Sequence, residues 1–187
     1  MEAWIFLALG IVLTTAVIVL RRRYAEFPGQ TPQDYNEGFP AFDLQRHLNG
    51  EMICEGVIFG PLGRVTSSFV AAVDIKWEGP VGVMSERFRY NDGTIQDREW
   101  VITLGENDHF STTAADVPGG GKGELAGSAA VMRYKIQLPP ESGSHLLNTV
   151  DWMYLTPDGT IINRSQFRKY GVKVAELVAS IRPKETI

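Results

Sequence analysis

Residues 84–102 read MSERFRYNDGTIQDREWVI, and this stretch decides the fold. Asn91-Asp92-Gly93 is turn chemistry, flanked by two runs in which apolar and polar residues alternate. Two registers compete. A two-residue Asp-Gly loop sets Phe88 opposite Asp97 and Glu86 opposite Glu99, which pairs like charges and mixes the faces. A three-residue loop, with Gly93 in the left-handed position, sets Met84 opposite Trp100 and Glu86 opposite Arg98. Phe88, Tyr90, Ile102 and Leu104 then share that face. A one-residue slip sends every side chain to the other side of the sheet, so the apolar face selects the second register. The expected consequence is a Glu86–Arg98 ion pair on the interior-facing side.

The same period of two continues in both directions. Phe69, Ala71, Val73, Ile75 and Trp77 share one face with Asp74 and Lys76 on the other, and Ala130, Met132, Tyr134, Ile136 and Leu138 share one face with Arg133, Lys135 and Gln137 on the other. Comparable runs cover residues 51–59, 65–77, 81–90, 94–104, 109–117, 129–138, 146–155, 160–168 and 172–181. Turn residues punctuate them at Gly60-Pro61-Leu62-Gly63, Glu78-Gly79-Pro80 and Thr156-Pro157-Asp158-Gly159. Short connections favour successive antiparallel hairpins, and an open sheet this wide would leave long edges. The expectation is an all-β, antiparallel, up-and-down (lipocalin-like) barrel of about 8–9 strands, with a two-sheet sandwich as the alternative. Gly119-Gly120-Gly121-Lys122-Gly123 fits neither a Walker loop nor a dinucleotide fingerprint. It is expected to be a mobile hairpin loop, a lid over the barrel mouth.

Residues 3–20, AWIFLALGIVLTTAVIVL, carry no charge. As a helix they span roughly 27 Å, near the thickness of a bilayer core. No basic residue precedes the run and no small-residue cleavage site follows it, which favours a retained anchor over a signal peptide. Arg21, Arg22 and Arg23 follow at once, and the positive-inside rule sets such a cluster on the cytoplasmic side. The expected organisation is a transmembrane anchor over 1–23, an extended Pro/Gly-rich linker over 24–40, and a barrel domain over 41–187. Phe39, Phe42 and Leu44 are expected to tuck under that domain.

Several phrases carry a resemblance. They are Leu48-Asn49-Gly50, Ser85-Glu86-Arg87-Phe88-Arg89-Tyr90-Asn91-Asp92-Gly93, Arg98-Glu99-Trp100, and Ala114-Ala115-Asp116-Val117-Pro118-Gly119. Asp151-Trp152-Met153, Ile162-Asn163-Arg164-Ser165 and Lys169-Tyr170-Gly171-Val172 complete the set. Residues 39–183 thereby resemble a "domain of unknown function" family of small, uncharacterised bacterial envelope proteins, many of them lipoprotein-like. The resemblance implies a compact, membrane-associated β domain in a bacterium and no established activity. It favours a periplasmic domain on the inner membrane, whereas the arginine cluster favours a cytoplasmic one.

Composition narrows the chemistry. The net charge is −4 and no basic patch stands in the main body, which argues against nucleic acid as partner. The single cysteine, Cys54, excludes an internal disulfide or a Cys-based zinc cluster and reads as a buried apolar residue. His47, His109 and His145 lack metal-ligand spacing, and no cofactor is expected. The inferred inner face carries Trp77, Met84, Phe88, Trp100, Met132 and Tyr134, with Arg98 and Glu86 as polar anchors. There Arg98 would hold a carboxylate or phosphate head group. Trp152 is a further candidate wall residue. Asp116 reads as a turn organiser or a base. Asp151 is expected to bond Arg164 or a backbone amide. The leading expectation is a non-catalytic, membrane-anchored binding module for an apolar ligand, a lipid or fatty acyl chain. A packed scaffold for a membrane protein partner and an enzyme acting on a lipid-like substrate are the alternatives.

Overall fold

The computed structural model describes residues 2–184. Met1 of the expected anchor and residues 185–187 of the expected barrel domain lie outside the described residues. An apolar helix, α1 (Glu2–Tyr24), opens the chain and includes Arg21–Arg23 in its last turn. It is long and apolar enough to cross a membrane, a description that a signal sequence also meets.

Ten strands follow: β1 (Gly50–Phe59), β2 (Val65–Glu78), β3 (Val81–Tyr90), β4 (Ile95–Leu104), β5 (His109–Ala114), β6 (Gly121–Ala126), β7 (Ala129–Gln137), β8 (Leu146–Leu155), β9 (Ile161–Lys169) and β10 (Val172–Pro183). Each pairs with its sequence neighbours, and β10 pairs antiparallel with β1 to close the barrel. The β3–β4 register is the one the apolar face selects. Met84 opposes Trp100, Glu86 opposes Arg98, and Gly93 has φ +86°.

The expected count of 8–9 strands is corrected to ten. Nine consecutive hairpin-linked strands would bring first and last together in parallel, whereas an even number closes with every pair antiparallel. The missing strand is β6, drawn from the glycine-rich segment expected to be a mobile lid. Its glycines serve packing. A Cβ on Gly123 would overlap the Phe110 ring, and one on Gly121 would lie 2.6 Å from Thr112 Oγ1 and 3.2 Å from Tyr134 Cβ. Large side chains on β5 and β7 occupy the space that a side chain on β6 would need, so β6 is hidden from any propensity scale. The expected run 109–117 is also shortened. β5 stops at Ala114, and Asp116 sits in the turn.

The lower end, where β1 begins, is plugged. Asp43 caps a single helical turn, α2 (Leu44–His47), accepting from the Arg46 N–H at 3.1 Å. Phe42, Leu44 and Leu48 are buried in the main core. Trp77 Nε1 donates to the Leu48 carbonyl at 2.7 Å and locks the plug. Phe39, expected to join them, is 87% exposed. Burying each plug side chain contributes about 1.5–3 kcal/mol.

The 24–40 segment is not a free stalk. Two short 3-10 helices, Phe27–Gly29 and Pro32–Tyr35, lie against the outer wall of β7 and β8. Phe27 packs with Ala129, Val131 and Trp152 in a second apolar cluster. Gln30 Oε1 accepts from both Tyr35 and Tyr154 hydroxyls, at 2.5 and 2.6 Å. Outward residues of β7 and β8 are therefore apolar because the linker covers them.

Candidate functional site

Inside the barrel a cavity of about 130 Å³ remains above the plug. Met84 and Phe88 on β3, Trp100 and Ile102 on β4, and Phe110 on β5 form one apolar wall. Leu44 and Leu48 of the plug close the floor. Alternation places these side chains: every second residue of each strand points inward.

Polar side chains interrupt this wall. Glu86 and Arg98, directly opposed in register, both border the cavity. The expected ion pair between them is absent. Arg98 Nε instead lies 3.1 and 3.2 Å from the two carboxylate oxygens of Asp116. Its guanidinium carbon stacks 4.2 Å over the Trp100 ring. Asp116 is a turn residue that reaches back to the strand, so the sequence-level pairing missed a contact made across the β5–β6 connection. Glu86 Oε2 and Arg98 Nη2 are both sealed from solvent without a protein partner.

A second polar group faces them. Asp151 on β8 accepts from Ser165 Oγ at 2.8 Å, from Tyr134 Oη at 3.3 Å, and from Asn163 Nδ2. Arg164, its expected partner, binds Glu176 at 2.6 Å on the outer face. The Tyr134 ring meets Trp100 edge-on, with centroids 5.3 Å apart, and so links the two polar groups.

Burial dominates the electrostatics. It pushes Glu86 up to about 7, against the opposing pull of the Arg98 charge and the Trp100 indole. It also raises Asp151 in spite of its three donors, and raises Tyr134 well above its ordinary range. The Cys54 thiol, on the cavity wall, is pushed up to about 12 by burial and by the Glu86 charge. Three carboxyls, Glu86, Asp116 and Asp151, thus stand near one guanidinium, which pairs with Asp116 alone. Among the described residues no cluster of three or more His, Cys, Asp or Glu is arranged to hold a metal ion.

Six of the nine expected site residues line this cavity: Met84, Glu86, Phe88, Arg98, Trp100 and Tyr134. Asp116 acts on it through Arg98. Met132 faces the interior but packs in the core, where Thr112 Oγ1 approaches its sulfur at 3.1 Å. Trp152 is the correction. It is 1% exposed and lies on the outer face, stacked on Tyr154 beneath Phe27 and Tyr35. Its apolar surroundings come from the linker. Asp151, Asn163 and Ser165 were not expected in the site. A signal existed: Asn163 and Ser165 share the inward face of β9 with Ile161 and Phe167, polar residues on an apolar stripe.

A broader depression of about 570 Å³ lies open to solvent along β1–β4. Within it Arg87 pairs with Asp97 and Lys184 with Glu51.

Residues 24–183 match the family model described as a protein of unknown function, DUF3833. No curated protein matches the chain. Among solved structures, an S-type phycobiliprotein lyase from Guillardia theta aligns at TM-score 0.59 and 7% identity. The alignment covers 84% of this chain and 99% of the lyase, and shows a shared fold. A putative exported protein with a YmcC-like fold from Bacteroides fragilis aligns at TM-score 0.28 and 13% identity, covering 73% of this chain and 96% of that one.

Proposed function

We propose, from the premise that this chain belongs to the DUF3833 family and that the family's description names no activity, that the barrel is a non-catalytic binding module for an apolar ligand, tethered to a membrane through α1. One observation carries the reading. An aromatic-walled cavity inside the barrel is bordered by two sealed polar atoms, Glu86 Oε2 and Arg98 Nη2, that no protein group satisfies. Buried polar atoms are ordinarily paired, and a pair left open toward a cavity is what an orienting contact for a ligand requires. The barrel architecture shared with the lyase supports a binding role in general terms; the chemistry of this chain's site supports the rest.

Size limits the ligand. About 130 Å³ is below the roughly 300 Å³ of ordinary small-molecule sites and near the roughly 150 Å³ that accommodates a benzene ring. A lipid or fatty acyl chain fits this reading when only one short segment of it occupies the cavity. The solid core around Met132 favours a second reading, a packed scaffold that docks a membrane protein on its outer surface.

The tether reading rests on the short path from α1 to the barrel: Phe27 is buried only four residues beyond Arg23. This holds the β7–β8 wall close to the helix end. We place the helix in a bacterial inner membrane as a single span, with the arginine cluster arguing for a cytoplasmic barrel. Fusing alkaline phosphatase to the C-terminus decides the side, since the enzyme is active only outside the cytoplasm.

Native mass spectrometry of the full chain released from detergent, followed by extraction, tests the binding reading. A retained small molecule of defined mass supports it. A ligand-free mass after incubation with membrane lipids moves the weight to the scaffold.

A further inference from the structure

Arg98 and Glu86 set complementary demands on whatever enters the cavity. A guanidinium stays protonated, so the partner of Arg98 Nη2 must accept a hydrogen bond. An ionised Glu86 Oε2 only accepts, so its partner must donate. The two residues sit directly opposite on adjacent strands and border the same space. They do not satisfy each other, because the guanidinium is turned toward Asp116.

Charge then selects the head group. An anion would satisfy Arg98, but Asp116 already balances that guanidinium, and Glu86 and Asp151 add two more carboxyls to the interior. A cation such as an ammonium would satisfy Glu86 but only donates, so it leaves Arg98 Nη2 without an acceptor. A neutral group that both donates and accepts meets both demands without adding charge. One hydroxyl does so with a single oxygen, and a primary amide does so with its N–H and C=O.

We infer that the interior cavity takes a ligand with an uncharged, donor-and-acceptor head, a primary alcohol or primary amide on a short apolar body, and rejects the matching carboxylate and amine. This deepens the binding-module reading and rests on it. It also replaces the expectation that Arg98 holds a carboxylate or phosphate. The body is short because the space is close to that of one ring. Discrimination is expected to be steep, since the wrong head leaves a buried polar atom unpaired.

The test uses the full chain in detergent with 15N-labelled indoles. Trp100 lines the cavity, so its indole resonance, assigned through Trp100→Phe, reports this site and ignores partitioning into micelles. The probes are 1-pentanol, pentanamide, pentanoate and pentylammonium, titrated about one pH unit above the value of about 7 at which Glu86 changes charge. Pentanol and pentanamide are expected to shift Trp100 with dissociation constants at least about tenfold below those of the charged pair. Glu86→Gln is expected to bring pentanoate to within about threefold of pentanol, because the amide donates where the carboxylate repelled. Pentanoate or pentylammonium binding as tightly as pentanol overturns the head-group inference and leaves the cavity reading intact. Unchanged discrimination in Glu86→Gln likewise overturns it. If none of the four probes moves Trp100, this inference falls, and the retained mass in native mass spectrometry decides the binding-module reading separately.

Discussion

Arg98 Nε lies 3.1 Å from Asp116 Oδ2, although Glu86 is its direct cross-strand neighbour. A turn residue thus outcompetes the residue that strand register sets opposite, and Glu86 keeps a sealed Oε2 without a matched cation. Asp116→Asn removes the competitor's charge. The guanidinium is then free to turn to Glu86, whose titration midpoint should fall from about 7 by at least about one unit. Side-chain carboxyl 13C shifts followed against pH measure this directly. An unchanged midpoint would mean that Asp116 is not what withholds Arg98.

Glu86 makes stability pH-dependent. Its folded-state value, about 7, lies above the ordinary 4.5, so the folded form prefers the proton. The contribution is fullest below about pH 4.5, declines as pH rises, and is lost above about 7. The shift corresponds to a penalty on the order of 3 kcal/mol for the ionised group. The groups that face it are Arg98 on β4, Asp116 in the β5–β6 turn, Asp151 on β8, Cys54 on β1 and Tyr134 on β7, with Tyr90 on its own strand. Glu86→Gln should therefore stabilise the ligand-free barrel near pH 8 and bring little gain near pH 5, read by denaturant titration at both. Equal effects at the two pH values would contradict the assignment.

Cys54 should be inert in the folded protein. Burial and a value pushed up to about 12 keep the thiolate population negligible near neutrality. Maleimide labelling should be absent from native protein and complete after denaturation. Labelling at the native rate of a surface thiol would show that the barrel wall opens.

Gly123→Ala should disrupt β6. The added methyl meets the Phe110 ring, and overpacking of this kind costs about 1–3 kcal/mol. Combining it with Phe110→Leu should recover part of the loss. The midpoint of thermal unfolding for the single and double variants decides, and additive losses would mean that the ring is not the obstacle.

Phe27→Ala should release the linker. Phe27 is 7% exposed, packs on Trp152 and lies 4.9 Å beneath the Arg164 guanidinium. Truncating such a residue costs about 3 kcal/mol or more when the site cannot collapse. Trp152 fluorescence should move to the red, and protease should cut within 24–40 while the barrel stays intact. Protection equal to wild type would show that the linker is held by Tyr35 and Gln30 alone.

The legible part of this protein was local. Alternation along β2, β3, β4 and β7, and the Asn91-Asp92-Gly93 turn, depend on neighbours a few residues apart. They determined strand type, hairpin order and the Glu86↔Arg98 register, and these bring six of the nine expected site residues to the cavity wall. The unbroken apolar run determined α1. What failed to show in sequence depends on contacts far along the chain. β6 exists because Phe110 and Tyr134 fill the room beside two glycines, and closure of ten strands requires it. Trp152 faces outward because residues more than a hundred positions earlier cover it. Arg98 chose Asp116 over Glu86 because a turn brought that carboxylate within reach. Periodicity decides which face of a strand is apolar, whereas only the closed barrel decides what meets that face.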